Sequence, residues 1–375
     1  MSRSRIVFFV IIAIALLIIA LPRALELLPT APTATPLPEL QVEIAVNPMA
    51  YAWVAAQAAT FNARQPQADG RPARITVTQV DGASVWQTGS TWSVGRHPVG
   101  WLPEATFTLD YAADAGLRYE AITPSVASTS LVWGIFTDRA DVIGTPLDWR
   151  TFQAAAVKEN WKALGGEESW GFVKPAFNLP QNNSAGYGAL LTAAATFAST
   201  KQVSDQVVRD RAYQDWLKPV IDAMPSTTTM GAQIATTLAS RGVSVADFAL
   251  LPESEWVTNY TTINARQKIS FAYPGYNITF NMPLAVWSGA ETTSAERTLL
   301  RQFSDFLMQK DTQRQSASYG LRPAAIPLSE ADLSKFNAAV AAGIKLDSVP
   351  STAIVVPSRS SALALIGWFR AIRPS

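Results

Sequence analysis

No cysteine occurs in the chain, which excludes disulfides, thiolate metal sites, a cysteine nucleophile and a lipid-modified cysteine anchor. Histidine occurs once, as His97, so HExxH metalloprotease sites and multi-histidine zinc sites are impossible. His97 sits beside a proline in GRHPVGW, a setting that suits a loop better than a catalytic base. Charge is also scarce: 16% of residues are charged, and 30 Lys+Arg against 29 Asp+Glu leave a net +1. Such a balance provides no field for nucleic acid or an acidic partner. Neither a GxxxxGK[ST] phosphate loop nor a GxSxG nucleophile elbow is present. What the chain does have is length and aromatic bulk. Its 375 residues carry 12 Trp, 16 Phe and 9 Tyr, enough core for two lobes.

The N-terminus has its own pattern. Arg3 and Arg5 precede an uncharged run over residues 6–21, which Pro22 and Arg23 close. The run falls between a signal-peptide core of about 7–15 residues and a full span of about 20. LPRALELLP stands where a small-x-small cleavage site would be, so residues 1–28 read as an uncleaved signal-anchor, with a cleaved signal peptide as the alternative. The basic flank keeps the N-terminus inside and places the rest outside the membrane. Residues 29–40, PTAPTATPLPEL, form a proline-rich tether, extended and semi-rigid because proline fixes φ and donates no hydrogen bond.

From Gln41 the pattern alternates. Strands are expected at 42–46, 74–80, 130–136, 170–175, 246–251, 269–274 and 282–287. Helices are expected from about 49, over 147–157 with Asp148 as N-cap, over 189–198, over 205–223, and over 293–320 with a Thr293/Glu296 capping box. Strands alternating with helices imply α/β units with mainly parallel sheets.

Small polar residues collect at the strand–helix junctions. NLPQNNSAGYGAL (178–190) follows a strand and opens a helix, with Asn183 or Ser184 as cap and free amides facing outward. VNPMA (46–50), ASTS (127–130) and STTTM (226–230) repeat the layout. Each alone is ordinary cap or turn chemistry; together they are what a cleft between two lobes requires. Trp86, Trp92, Trp101 and Trp133 read as core before they read as sugar-stacking platforms. The Asn-x-Ser/Thr sequons at Asn182, Asn259 and Asn277 are short enough to arise by chance.

In order along the chain, VEIAVNPMAYAWVAAQAATFNARQP, HPVGWLPEATFTLDYA, TPLDWRTFQ, FVKPAFNLPQNNSAGYGALLTAAATFA, FAYPGYNITFNMPLAVW and AERTLLRQFSDFLMQKDTQRQSASYGLRP cover roughly residues 41–325. In that order and spacing the chain resembles bacterial extracellular solute-binding proteins of the type 2 periplasmic binding class, the group that includes molybdate-binding-like proteins. The resemblance implies two α/β lobes, each a mixed, mainly parallel sheet flanked by helices, with a ligand enclosed by hinge closure. Lobe one would be 41–132 with 270–330 and lobe two 133–269, leaving 331–375 as an extension packing on lobe one. Ligand-facing positions would be Asn47, Met49, Ser128, Asn183, Ser184 and Ala185, with Ser226 and Glu253 as further carry-overs. Asn-Pro-Met stands where oxyanion binders usually place Ser or Thr, which argues against a molybdate-type ligand.

The function this implies is capture of a small polar or anionic solute outside the cytoplasm for an ABC-type importer. Partners would be the solute, the membrane through the N-terminal segment, and a permease or other membrane protein; no nucleic acid, cofactor or metal is called for. The alternative is a membrane-anchored sensor or interaction module on the same fold, which the anchor and the extra tail favour. A hydrolase using serine or paired carboxylates ranks last, because no base accompanies a nucleophile in the sequence.

Overall fold

The computed structural model describes residues 7, 8, 10, 12–14, 18 and 38–373. The expected anchor over 1–28 and tether over 29–40 lie mostly outside the described residues. Among the described residues no helix is long and apolar enough to cross a membrane. The folded body begins at Glu39.

Two six-stranded sheets organise that body. The first runs in the order Gln67–Ala68, Arg71–Gln79, Leu40–Val46, Gly100–Leu102, Leu284–Trp287, Tyr119–Thr123. Its middle strands, Arg71–Gln79, Leu40–Val46 and Gly100–Leu102, are mutually parallel, and Leu284–Trp287 runs antiparallel between its neighbours. The second sheet is built on one long strand, Ala127–Phe136. It pairs antiparallel with Phe248–Pro252, Ile269–Ala272, Thr279–Phe280 and Arg322–Pro323. There, among the described residues, the only parallel pair joins Pro175–Phe177 to Phe248–Pro252. The sheets are thus mixed, but parallel pairing dominates only the middle of the first; elsewhere the chain returns antiparallel along its own spine.

That spine also moves the lobe boundaries. A boundary at 132 falls inside Ala127–Phe136, whose whole length pairs within the second sheet. Ile269–Ala272 and Thr279–Phe280 join it as well, and the first sheet regains the chain only at Leu284–Trp287. The strand is almost continuously buried, as expected of a strand covered on both faces. It packs so tightly on the helix Glu253–Arg266 that a Cβ on Gly134 would lie 2.6 Å from the Trp256 ring.

Local chemistry explains where the helices stop. The stretch 205–223 divides at Asp210, whose extended backbone lets its carboxylate accept the Ala212 amide at 2.8 Å. The stretch 293–320 divides after Leu307, because the Gln313 side chain takes the Leu307 carbonyl at 2.8 Å and Gln309 turns extended. Gly171, at φ 69°, interrupts the expected strand over 170–175 and leaves Pro175–Phe177. The Asp148 cap and the Thr293/Glu296 capping box both form.

The core is rich in tryptophan. Trp86, Trp101 and Trp133 are fully buried beside Trp53, Trp149, Trp161, Trp256 and Trp287, and half-buried Trp92 packs edge-on against Trp101. The eight fully buried ones fill volume and offer no exposed face to a sugar.

Of the extension 331–375, expected on lobe one, the described residues 331–373 follow the second sheet instead. Thr352–Ala353 pairs with Tyr276–Asn277, and in the helix Arg359–Ile372 Phe369 meets Phe177 while Trp368 meets Tyr213. Ser358 Oγ donates to Asp205 at 2.9 Å. The tail reaches the first-sheet side at two points: Tyr111 OH donates to the Pro357 carbonyl at 2.7 Å, and Arg359 Nε donates to the Trp86 carbonyl at 2.8 Å.

Candidate ligand-binding site

Carboxyl ends of strands from both sheets converge on one cleft. From the first sheet, Val46 delivers Asn47 to Met49, Gln79 is followed by Asp81, and Leu102 by Glu104. From the second, Phe177 delivers the loop 178–183, and Pro252 opens the helix Glu253–Arg266. This is where open α/β sheets place ligands.

The opening of the helix Ser184–Ala198 is already occupied. Asn183 caps it, accepting the Gly186 amide at 3.1 Å. The Ser184 amide and hydroxyl donate to the Asp81 carboxylate at 3.0 and 2.8 Å, across from the other lobe. Asp81 also accepts the Ala83 amide at 2.9 Å, so three donors hold it. Beside it, fully buried Glu104 accepts the Gly82 amide at 2.9 Å. Only glycine fits at 82, since a Cβ there would stand 2.3 Å from Glu104 Oε2. Burial pushes the Glu104 carboxyl well above the usual range, and the Asp81 charge pushes it further. Asp81 is also raised by burial, against the amide and hydroxyl bonds that hold its charge. The pair therefore favours one shared charge, with the proton on Glu104 and the anion on Asp81 facing its three donors. A protein carboxylate sits where a helix N-terminus would receive an anionic ligand.

Beyond this contact lies a cavity of about 510 Å3. Met49, Gln79 and Asp81 line it from the first lobe; Asn178, Asn183 and Gln233 face them. Ser254, Glu255 and Asn259, from the helix Glu253–Arg266, and Tyr319 complete the wall. Among the described residues no lysine, arginine or histidine lines it. Burial pushes the Glu255 carboxyl up to about 7, although a hydrogen bond from Asn178 opposes the shift. Ser254 is 4% exposed and its hydroxyl has no hydrogen-bond partner, while its amide donates to Thr129 Oγ1 at 3.1 Å.

Of the sequence-predicted positions, Met49 and Asn183 line the cavity, and Ser184 lies behind it on Asp81. Asn47 is fully buried and used as a brace. Its side chain donates to the Leu102 and Pro103 carbonyls at 3.1 and 3.2 Å and accepts the Ala50 amide at 3.0 Å. Ala185 is buried in the helix. Ser128 pairs opposite Arg322, outside the cavity lining. Ser226 is exposed and caps the short helix Thr227–Met230, whose first residues line a neighbouring cavity of about 540 Å3. Glu253 is fully buried away from the lining, gripped by Arg322 Nε at 2.6 Å and Nη2 at 2.8 Å, with Tyr273 OH also donating to it.

Asp81, Glu104 and Glu255 were not among those positions. The Asp-Gly turn at 81–82 was the one local signal for the first; nothing local marks the others. His97 stacks on Trp287 with centroids 3.7 Å apart, outside the cavity lining. Among the described residues no group of three acidic or histidine side chains is placed to hold a metal.

No family model matches the chain, and no curated protein matches it in sequence. Solved structures do match it. The periplasmic binding protein AfuA from Actinobacillus pleuropneumoniae, with fructose-6-phosphate bound, superposes with a TM-score of 0.60 at 12% identity, over 90% of this chain and 99% of that one. The substrate-binding protein Lmo0181 from Listeria monocytogenes, in complex with cycloalternan, gives 0.58 at 10%, over 89% and 95%. The maltose/maltodextrin-binding domain MalE from Bdellovibrio bacteriovorus, bound to maltotriose, gives 0.57 at 12%, over 90% and 95%. With nearly whole chains aligned at such low identity, what is shared is architecture: this chain has the two-lobed α/β fold of periplasmic and ABC substrate-binding proteins.

Proposed function

We propose that the protein is an extracytoplasmic solute-binding protein that captures a small polar solute between its lobes for an ABC-type importer, without chemistry of its own. The observation that carries this is the cavity of about 510 Å3 where strand ends from both sheets meet, lined by amides and hydroxyls from both sides. Residues 1–28 would hold the protein to the membrane and residues 29–40 would set its distance from it. Met49, Gln79, Asn183, Glu255 and Asn259 are the proposed ligand contacts. A thermal-shift screen of the full chain against sugars, amino acids, amines and organic acids tests the reading. A binding solute should raise the melting temperature by several degrees and compact the protein in small-angle scattering. If no class stabilises it, the reading fails.

The second reading, a membrane-anchored sensor or interaction module, draws support from the tail, which bonds to the first-lobe side at Pro357 and Arg359. A solute that stabilises the chain without compacting it would favour that reading.

A further inference from the structure

We propose that the cleft selects a small organic cation, a solute carrying a protonated amine, and rejects anions. The inference rests on the solute-binding reading and specifies its ligand class. Asp81 and Glu255 are the charged groups of the cavity wall, and no basic side chain accompanies them. The start of the helix Ser184–Ala198, which could hold an anion without a basic side chain, is spent on Asp81. An anion entering the cleft would meet like charge and no free countercharge.

A second observation lies in the wall beside Glu255. The Ser254 hydroxyl, on the residue next to Glu255 in the cavity wall, is buried with no partner. A buried hydroxyl is normally satisfied, and an orphan in the wall of an open cavity is a place for a guest to bond. It can accept an ammonium N–H while Glu255 supplies the countercharge. The Asn178, Asn183 and Asn259 amides add acceptors around the same space. The raised Glu255 carboxyl fits this picture, because no basic side chain of the cavity wall offsets its burial. The remaining titratable group in the wall is Tyr319. Glu253, on the same helix, is neutralised by Arg322 outside the cavity.

The test uses two matched sets of probes on the full chain at neutral pH: putrescine, butanediol and succinate, then glucosamine, glucose and glucuronate. In calorimetry, the amine of at least one set should bind at least tenfold more tightly than its neutral counterpart, with the acid undetectable. Glu255→Gln should erase the amine's advantage, and the variant's own melting curve verifies that it is folded. Tightest binding by an acid, equal binding across a set, or an amine preference that survives Glu255→Gln overturns the inference but leaves solute binding standing. If none of the six probes binds, the inference falls, and solute binding falls with it only when the wider screen is also silent.

Discussion

Glu253 and Glu255 stand two residues apart at the start of one helix and occupy opposite electrostatic worlds. Glu253 is sealed: a bidentate guanidinium and a tyrosine hydroxyl answer its charge. Glu255 faces the cleft, where no cation answers it, and its carboxyl rises to about 7. Positions i and i+2 point to different sides of a helix, so one turn can serve both the frame and the cavity. Asp81 and Glu104 make a third arrangement, in which backbone amides, the Ser184 hydroxyl and a shared proton take the place of a cation. Charge that is answered builds the lobes, and charge left unanswered is where the proposed solute would bind.

The contrast can be broken at its strong end first. Arg322→Met strips Glu253 of its partner and leaves a buried charge unpaired, and should lower stability by about 3–5 kcal/mol in urea unfolding. An unchanged midpoint would mean that water already reaches Glu253. Ser184→Ala removes one charge-assisted bond to Asp81 and should cost about 1.5–3 kcal/mol. Because that bond crosses between the lobes, small-angle scattering of the variant should also show a more expanded particle.

Glu255→Gln sharpens the contrast from the weak end and has the opposite sign. A carboxyl raised in the fold from 4.5 to about 7 contributes stability fully below pH 4.5 and loses it as the pH rises through 7. The glutamine variant does not lose it, so at pH 8 it should be the more stable protein, by on the order of 1–2 kcal/mol after allowing for water in the cleft. At pH 4 the two proteins should melt together. A gain that does not depend on pH would show that packing rather than charge is responsible.

What could be read in the sequence was local. Asp148, Asn183 and the Thr293/Glu296 box announce helix starts because a cap and its amides lie within three residues of each other. The cleft-facing junctions at 46–50 and 178–190 were legible as strand ends followed by polar turns. The partners were not. Asp81 meets Ser184 across 103 positions and Glu253 meets Arg322 across 69, and no periodicity carries such pairings. Asn47 looked like a ligand contact because a polar residue at a strand end suits either a guest or the neighbouring strand. Here the carbonyls of Leu102 and Pro103 claim it. The choice between Glu253 and Glu255 needs the rotation of the helix, which the packing of Trp256 against the spine strand decides. Strand direction in the second sheet was beyond reach for the same reason, since alternation of elements is silent on which way the chain returns.

The tail gives this clamp a thermodynamic bias. Lobes joined only by crossovers can swing open against nothing but their hinges, whereas these are also stitched at Pro357 and Arg359. If those two bonds break on opening, they add about 1–3 kcal/mol to its cost, which shifts the open–shut ratio by a factor of roughly 5 to 150 relative to lobes without them. On the solute-binding reading, a guest would then spend less of its binding energy on bringing the walls together, and the same two stitches would slow its escape.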